Sequence, residues 1–113
     1  MRIAGAPREI PPPLELACLR VLWQLGEACV RDVLTSMAPE RTLAYTTVMT
    51  VLDRLARRGA VSRRKAGRSY RYAAVLQQDA LRKLAVRELL ETYFDGSERE
   101  LAAFLRANDV SQP

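Results

Sequence analysis

The amino-acid sequence predicts a mainly α-helical chain with one small β-hairpin. Three observations carry that reading. Apolar residues recur at helical spacing in "PLELACLRVLWQL", "VRDVLTSM" and "AYTTVMTVLDRLARRG". Two short β-type runs flank Ala66-Gly67 in "VSRRKAGRSYRYAA". A further helical pattern fills Gln77 to Leu105.

Residues 1–13 are rich in proline and glycine and read as a flexible leader. Pro11-Pro12-Pro13 then gives way to Leu14, with Pro13 suited to the first position of a helix. Leu16, Cys18, Leu19, Val21, Leu22 and Trp23 make that helix apolar on nearly every side, so it is expected to be buried; Gly26 ends it. Val30, Val33, Leu34 and Met37 follow at i, i+3, i+4 and i+7 and predict a short amphipathic helix, with Cys29 as a poor N-cap and Pro39 as its stop. In the third helix, at about 100° per residue, Val48, Val51, Leu52 and Leu55 share the core side. Thr46, Thr50, Arg54 and Arg57 line the opposite side, with Thr47 at its edge, and Gly59 closes the helix.

Threonine is a mediocre helix former, because its branched β-carbon loses rotamer freedom. Three threonines on an exposed face therefore serve something other than the helix. The hairpin after them is crowded with cations. Arg54, Arg57, Arg58, Arg63, Arg64, Lys65, Arg68 and Arg71 fall in one stretch, with Asp53 alone beside them. A two-residue turn at Ala66-Gly67 pairs Lys65 with Arg68, Arg63 with Tyr70 and Val61 with Tyr72. The tyrosines then lie toward the core, and Arg64 and Arg71 fall on the other face. Like charges across a hairpin repel, so an anionic partner is expected to relieve them.

Charge divides the chain in two. Residues 1–76 hold 13 Lys/Arg and 6 Asp/Glu, a net of +7, whereas residues 77–113 hold 5 and 7, a net of −2. The basic part implies a polyanionic partner. The acidic part holds a helix with Leu81, Leu84, Ala85, Leu89, Leu90, Tyr93 and Phe94 on a broad apolar face. Ser97 and Glu100 then form a capping box for a last helix bearing Leu101, Phe104 and Leu105. That surface exceeds what a three-helix unit can cover, which predicts association.

Several classes are set aside. There is no histidine, and Cys18 and Cys29 alone make neither a disulfide framework nor a metal site. No phosphate loop or nucleophile elbow occurs, so neither an enzyme nor a cofactor is expected. Without an apolar 18-residue span or a signal peptide, the expectation is a cytoplasmic chain with no membrane insertion.

Three helices followed by a basic hairpin is the order of a winged helix-turn-helix. There the third helix enters the major groove and the wing meets the backbone. A threonine hydroxyl can bond a base edge, its methyl can meet a thymine methyl, and arginine pairs with guanine. The alternative is a winged-helix protein-interaction module without operator-specific DNA binding, which a neutral wing would favour.

The strings "LELACLRVLW", "VRDVL", "LAYTTVMTVLDRLARRGAVSRRKAGRSYRY" and "RELLETYFDGSERELAAFL" closely resemble the penicillinase and methicillinase repressors, the BlaI/MecI type. The resemblance runs from Leu14 to Asn108. It implies a homodimeric repressor of β-lactam-response genes, with a winged helix (residues 14–76) on a dyad operator in double-stranded DNA and dimerisation helices in residues 77–113. Tyr45, Thr46, Thr47, Thr50 and Arg54 then fall on the recognition helix. Arg57, Arg64, Lys65, Arg68 and Arg71 fall on the wing and backbone contacts. Leu81, Leu84, Leu89, Leu90, Tyr93, Phe94, Leu101, Phe104 and Leu105 fall in the dimerisation region. The resemblance also implies release by proteolysis, triggered indirectly by a membrane-bound sensor, at the bond Ala103–Phe104. Pro12 stands where the family usually has a Ser/Thr cap, and Ala103 where it usually has asparagine. The family pattern continues past Asn108 with another helix, which predicts a weaker or differently packed dimer here. The cysteine-rich metal site of its copper-responsive branch is missing from this sequence.

Overall fold

The computed structural model describes residue 7 and residues 9–112; most of the leader, residues 1–6 and 8, lies outside the described residues. The elements run α1 (Pro13–Leu25), β1 (Glu27–Ala28), α2 (Val30–Met37), α3 (Tyr45–Arg57), β2 (Val61–Ala66), β3 (Ser69–Ala74), α4 (Gln78–Tyr93) and α5 (Glu98–Ala107).

Local chemistry sets the helix ends. Pro13 opens α1, and no side chain caps it at Pro12. At the start of α2, Asp32 Oδ2 accepts from the Cys29 backbone N–H at 3.2 Å, so Asp32 supplies the cap that the thiol provides poorly. After α3 the chain turns through Gly59 at φ +79°. The Ala60 N–H reaches the Leu55 carbonyl at 2.9 Å and the Gly59 N–H reaches Ala56 at 3.1 Å, the paired bonds of a Schellman ending. Ser97 Oγ accepts from the Glu100 N–H at 3.1 Å and caps α5.

The helices α1, α2 and α3 pack on one another and on the sheet. Cys18, Leu19 and Leu22 of α1 meet Val33 of α2, Val48 and Leu52 of α3 and Tyr72 of β3, all nearly sealed from solvent. Burial holds the Cys18 thiol protonated, its pKa raised to about 11. The apolar stripe of α3 is buried as its periodicity predicts. Two features of α1 depart from expectation: Leu25 is half exposed, and Glu15 is buried.

The sheet is antiparallel in the order β1-β3-β2. Strand β1 is too short to announce itself in the sequence; it pairs Glu27 with Ala73 and Ala28 with Tyr72. The hairpin register also differs from expectation. Ala66 pairs with Ser69, Lys65 with Tyr70 and Arg63 with Tyr72, so the turn is Gly67-Arg68. The reason is backbone geometry. Gly67 takes φ +67° at the first turn position, where the expected turn would have placed Ala66. The shift moves each partner by two residues, so the faces are conserved. Tyr72 is buried as predicted, but Tyr70 is 40% exposed beneath the Arg63 guanidinium, 4.3 Å above its ring.

From β3 the chain returns past α1, where Trp23 Nε1 donates to the Leu76 carbonyl at 2.9 Å. Leu81 follows it into the core at 5% exposure. This corrects its assignment to a dimerisation surface: one turn into α4, Leu81 still lies against the winged-helix core. Beyond it, α4 buries no residue and α5 none. Phe94 and Phe104 meet edge to face at 5.6 Å and join the two helices. The result is elongated, with a radius of gyration of 16.8 Å against about 13 Å for a compact chain of this length.

Candidate nucleic-acid interface

Helix α3 presents Tyr45, Thr46, Thr47, Thr50, Arg54 and Arg57 to solvent, together with Met49. Thr46 and Thr50 lie one turn apart, opposite the buried stripe. The hairpin lies beside the helix and carries Lys65 and Arg68 at or next to its turn. Together these exposed side chains make up the outer surface of α3 and of the wing.

Three acids hold that surface in shape. Glu15 of α1 is 4% exposed. Its Oε2 accepts from Arg58 and, at 3.4 Å, from Arg54. A buried carboxylate needs such compensation, and α1 thereby grips the C-terminal end of α3. Asp53, on the other flank, accepts from the Tyr72 hydroxyl at 2.7 Å and from Arg63 at 3.2 Å, tying α3 to the wing. Burial, and then the bond to Asp53, pushes the Tyr72 phenol up to about 12.

Glu27 of β1 is the third acid. Arg64 donates to both its oxygens at 2.8 and 2.7 Å, and Arg71 donates to it at 3.2 Å. Arg71 also reaches the Glu27 carbonyl at 3.0 Å. The bonds from Arg64, with help from Arg71, lower the Glu27 pKa. Arg64 and Arg71 do face each other across the hairpin. Glu27 offsets their repulsion from within the chain, because β1 inserts a carboxylate beside them.

Arg57, Lys65 and Arg68 make no ion pair among the described residues. Sequence reasoning missed Arg31, whose guanidinium lies 5.7 Å from the Tyr45 ring at the N-terminal edge of α3. It sits in the first turn of α2, where the helix dipole disfavours a cation. A basic residue in that unfavourable position is the signal that could have found it. Among the described residues no cluster of Cys, Asp and Glu could hold a metal ion. None of the described helices is long and apolar enough to cross a membrane.

A helix-turn-helix core, an exposed threonine-bearing third helix and a basic antiparallel wing define a winged-helix protein. The sequence model of the penicillinase repressor family matches residues 12–113, and the chain belongs to that family. It is a family of transcriptional repressors, not an enzyme class. The transcriptional regulator BlaI of Mycobacterium tuberculosis is 39% identical over 90 residues, which cover 79% of this chain. The chain spans 65% of that relative's length. Among solved structures, the DNA-binding domain of the repressor BlaI superposes with a TM-score of 0.58 at 22% identity, covering 71% of this chain and 93% of that one. The monomeric form of Bacillus licheniformis BlaI in complex with the blaP half-operator gives 0.53 at 24% identity, covering 64% and 88%. At these identities the two structures speak for the fold.

Proposed function

We propose that this chain is a transcriptional repressor that binds a two-fold symmetric DNA operator as a homodimer. The observation that carries the reading is the basic surface of α3 and the wing: threonines on the exposed face of α3, flanked by cations without acid partners in Arg57, Lys65 and Arg68. In this reading Tyr45, Thr46, Thr47 and Thr50 enter the major groove, and Arg31, Arg57, Lys65 and Arg68 meet phosphates. The half-operator bound by the B. licheniformis relative supports double-stranded DNA as the partner. Arg54, Arg64 and Arg71 keep the assignments given by the family resemblance only in second place, since Glu15 and Glu27 already engage them.

Residues 77–113, less Leu81, supply the dimer contact through Leu84, Leu89, Leu90, Tyr93, Phe94, Leu101, Phe104 and Leu105. Cutting Ala103–Phe104 releases the operator, and a membrane-bound sensor acts upstream of that cut. The controlled genes respond to β-lactams, and repression takes place in the cytoplasm.

The test is selection of bound duplexes from a random pool by the purified protein. A dyad site should emerge that binds at least about a thousandfold more tightly than random DNA at physiological salt. A pool that yields no enriched sequence would sink the reading and favour a protein-interaction module.

A further inference from the structure

We infer that the recognition helix reads its operator mainly through thymine methyl groups, with Met49 as a specificity-determining residue beside Thr46 and Thr50. This rests on the DNA-binding reading above and names the chemistry of its base contacts.

Met49 is the first observation. It stands on α3 one turn before Asp53 and is 36% exposed. The core of α3 is filled by Val48, Val51, Leu52 and Leu55, so packing does not need a methionine there. Counting about 100° per residue from Tyr45, Met49 and Thr50 bracket Thr46 on the exposed side. The N-terminal half of that face thus carries two short threonine methyls and a flexible thioether able to reach a groove floor.

The second observation is what this half of the helix lacks. Bidentate reading of guanine calls for an arginine or lysine. Arg54 lies toward the α1 flank, where it and Arg58 share the buried Glu15 carboxylate. Moving Arg54 to a base would withdraw one of the two cations from a charge that is 4% exposed. Arg57 does lie in line with Thr46, but eleven residues on, roughly 16 Å along the helix axis. The major groove is about 12 Å wide, so Arg57 falls at its wall, among phosphates. Within the groove, the available chemistry is apolar contact plus the hydroxyls of the threonines and Tyr45. The thymine 5-methyl is the apolar group that a base pair displays there.

The experiment uses the full chain and the duplex selected from the random pool. That duplex is resynthesised with deoxyuridine for every thymidine, which removes the methyls and keeps all base-pairing groups. A second version carries 7-deazaguanine, which removes the guanine N7 acceptor. Each methyl in contact should be worth about fourfold, so the deoxyuridine duplex should bind at least about tenfold more weakly. The 7-deazaguanine duplex should bind within about threefold of the parent. Met49→Ala and Thr50→Ser each remove an apolar group without touching the core, and each should shrink the thymine preference by at least about threefold. Equal affinity for the thymine and deoxyuridine duplexes would overturn the inference and leave DNA binding intact. A thymine preference unchanged in both variants would also overturn it, because the methyls would then act through duplex stiffness. A large loss with 7-deazaguanine alone would overturn it too, by showing an arginine leaving its acid to read guanine. Failure to select any duplex would refute the DNA-binding reading itself.

Discussion

Asp53 sits one residue before a long run of cations, and its work is internal. Its Oδ1 takes the Tyr72 hydroxyl at 2.7 Å and the Arg63 guanidinium at 3.2 Å, so one carboxylate joins α3 to both strands of the wing. The Tyr72 phenol is held protonated, up to about 12, by burial and by that bond. The sign of the linkage follows. The folded pKa lies above the unfolded value near 10, so the native state binds more protons between those values. This contribution is intact below pH 10 and is lost as pH rises from 10 toward 12. We expect Tyr72→Phe to cost about 1 kcal/mol at pH 7 through removal of the hydrogen bond. The stability difference between wild type and variant should narrow above pH 10, as read by urea denaturation at several pH values. A gap that stays constant to pH 12 would show that the phenol does not carry the linkage. The sequence made the burial of Tyr72 legible through strand alternation. It did not reveal Glu15 or Asp53 as anchors, because those contacts join residues 43 and 19 positions apart.

At the scale of the elements, the wing divides into a stem and a tip. In the stem, Arg64 and Arg71 close on Glu27, and the bonds from Arg64 and Arg71 hold its pKa below the ordinary value. The tip carries Lys65 and Arg68, which have no acid partner among the described residues. If the tip meets phosphates, removing each such cation should flatten the slope of log K against log salt by about 0.9. Lys65→Ala/Arg68→Ala should therefore flatten it strongly and weaken operator and random DNA alike. Arg64→Ala/Arg71→Ala should change the slope by less than half as much. It should instead loosen β1 from β3, which hydrogen exchange at Ala28 would report. Equal flattening by the two double variants would mean that DNA displaces Glu27 and recruits the stem. The hairpin and its cations were plain in the sequence. Its register was not, because Ala66-Gly67 and Gly67-Arg68 are equally short turns, and the choice depends on which residue takes a positive φ. The two-residue β1 carries no periodic signal at all, yet it holds the acid that decides which arginines are free.

At the scale of the whole molecule, the chain is a packed head with two helices that it leaves largely uncovered. Past Leu81, α4 exposes Val86, Leu89 and Tyr93, and α5 exposes Phe104 and Leu105. The sequence showed this apolar excess directly, since amphipathic spacing does not depend on a partner. It did not show where the head ends, because Leu81 and Leu84 look alike in the pattern and only the burial of Leu81 in the core of the head separates them. Under the proposed dimer, burying each large side chain stabilises by roughly 1.5–3 kcal/mol, so a few from each chain can outweigh the cost of association. Phe104 has a second part, because its ring packs edge to face on Phe94 and so holds α5 against α4. A chain ending at Ala103 would lack Phe104, Leu105 and that ring pair together. Its core, which runs from Cys18 to Leu81, would be untouched. We therefore expect the shortened chain to keep its thermal transition within a few degrees of the parent and to sediment mainly as a monomer at micromolar concentration. It should bind the selected operator at least about tenfold more weakly, since two unlinked heads no longer share an effective concentration. Sedimentation and binding measured on one preparation decide the matter. A shortened chain that stays dimeric with full affinity would place the dimer contact on α4 alone, and cleavage at Ala103–Phe104 could then not be the step that frees the DNA.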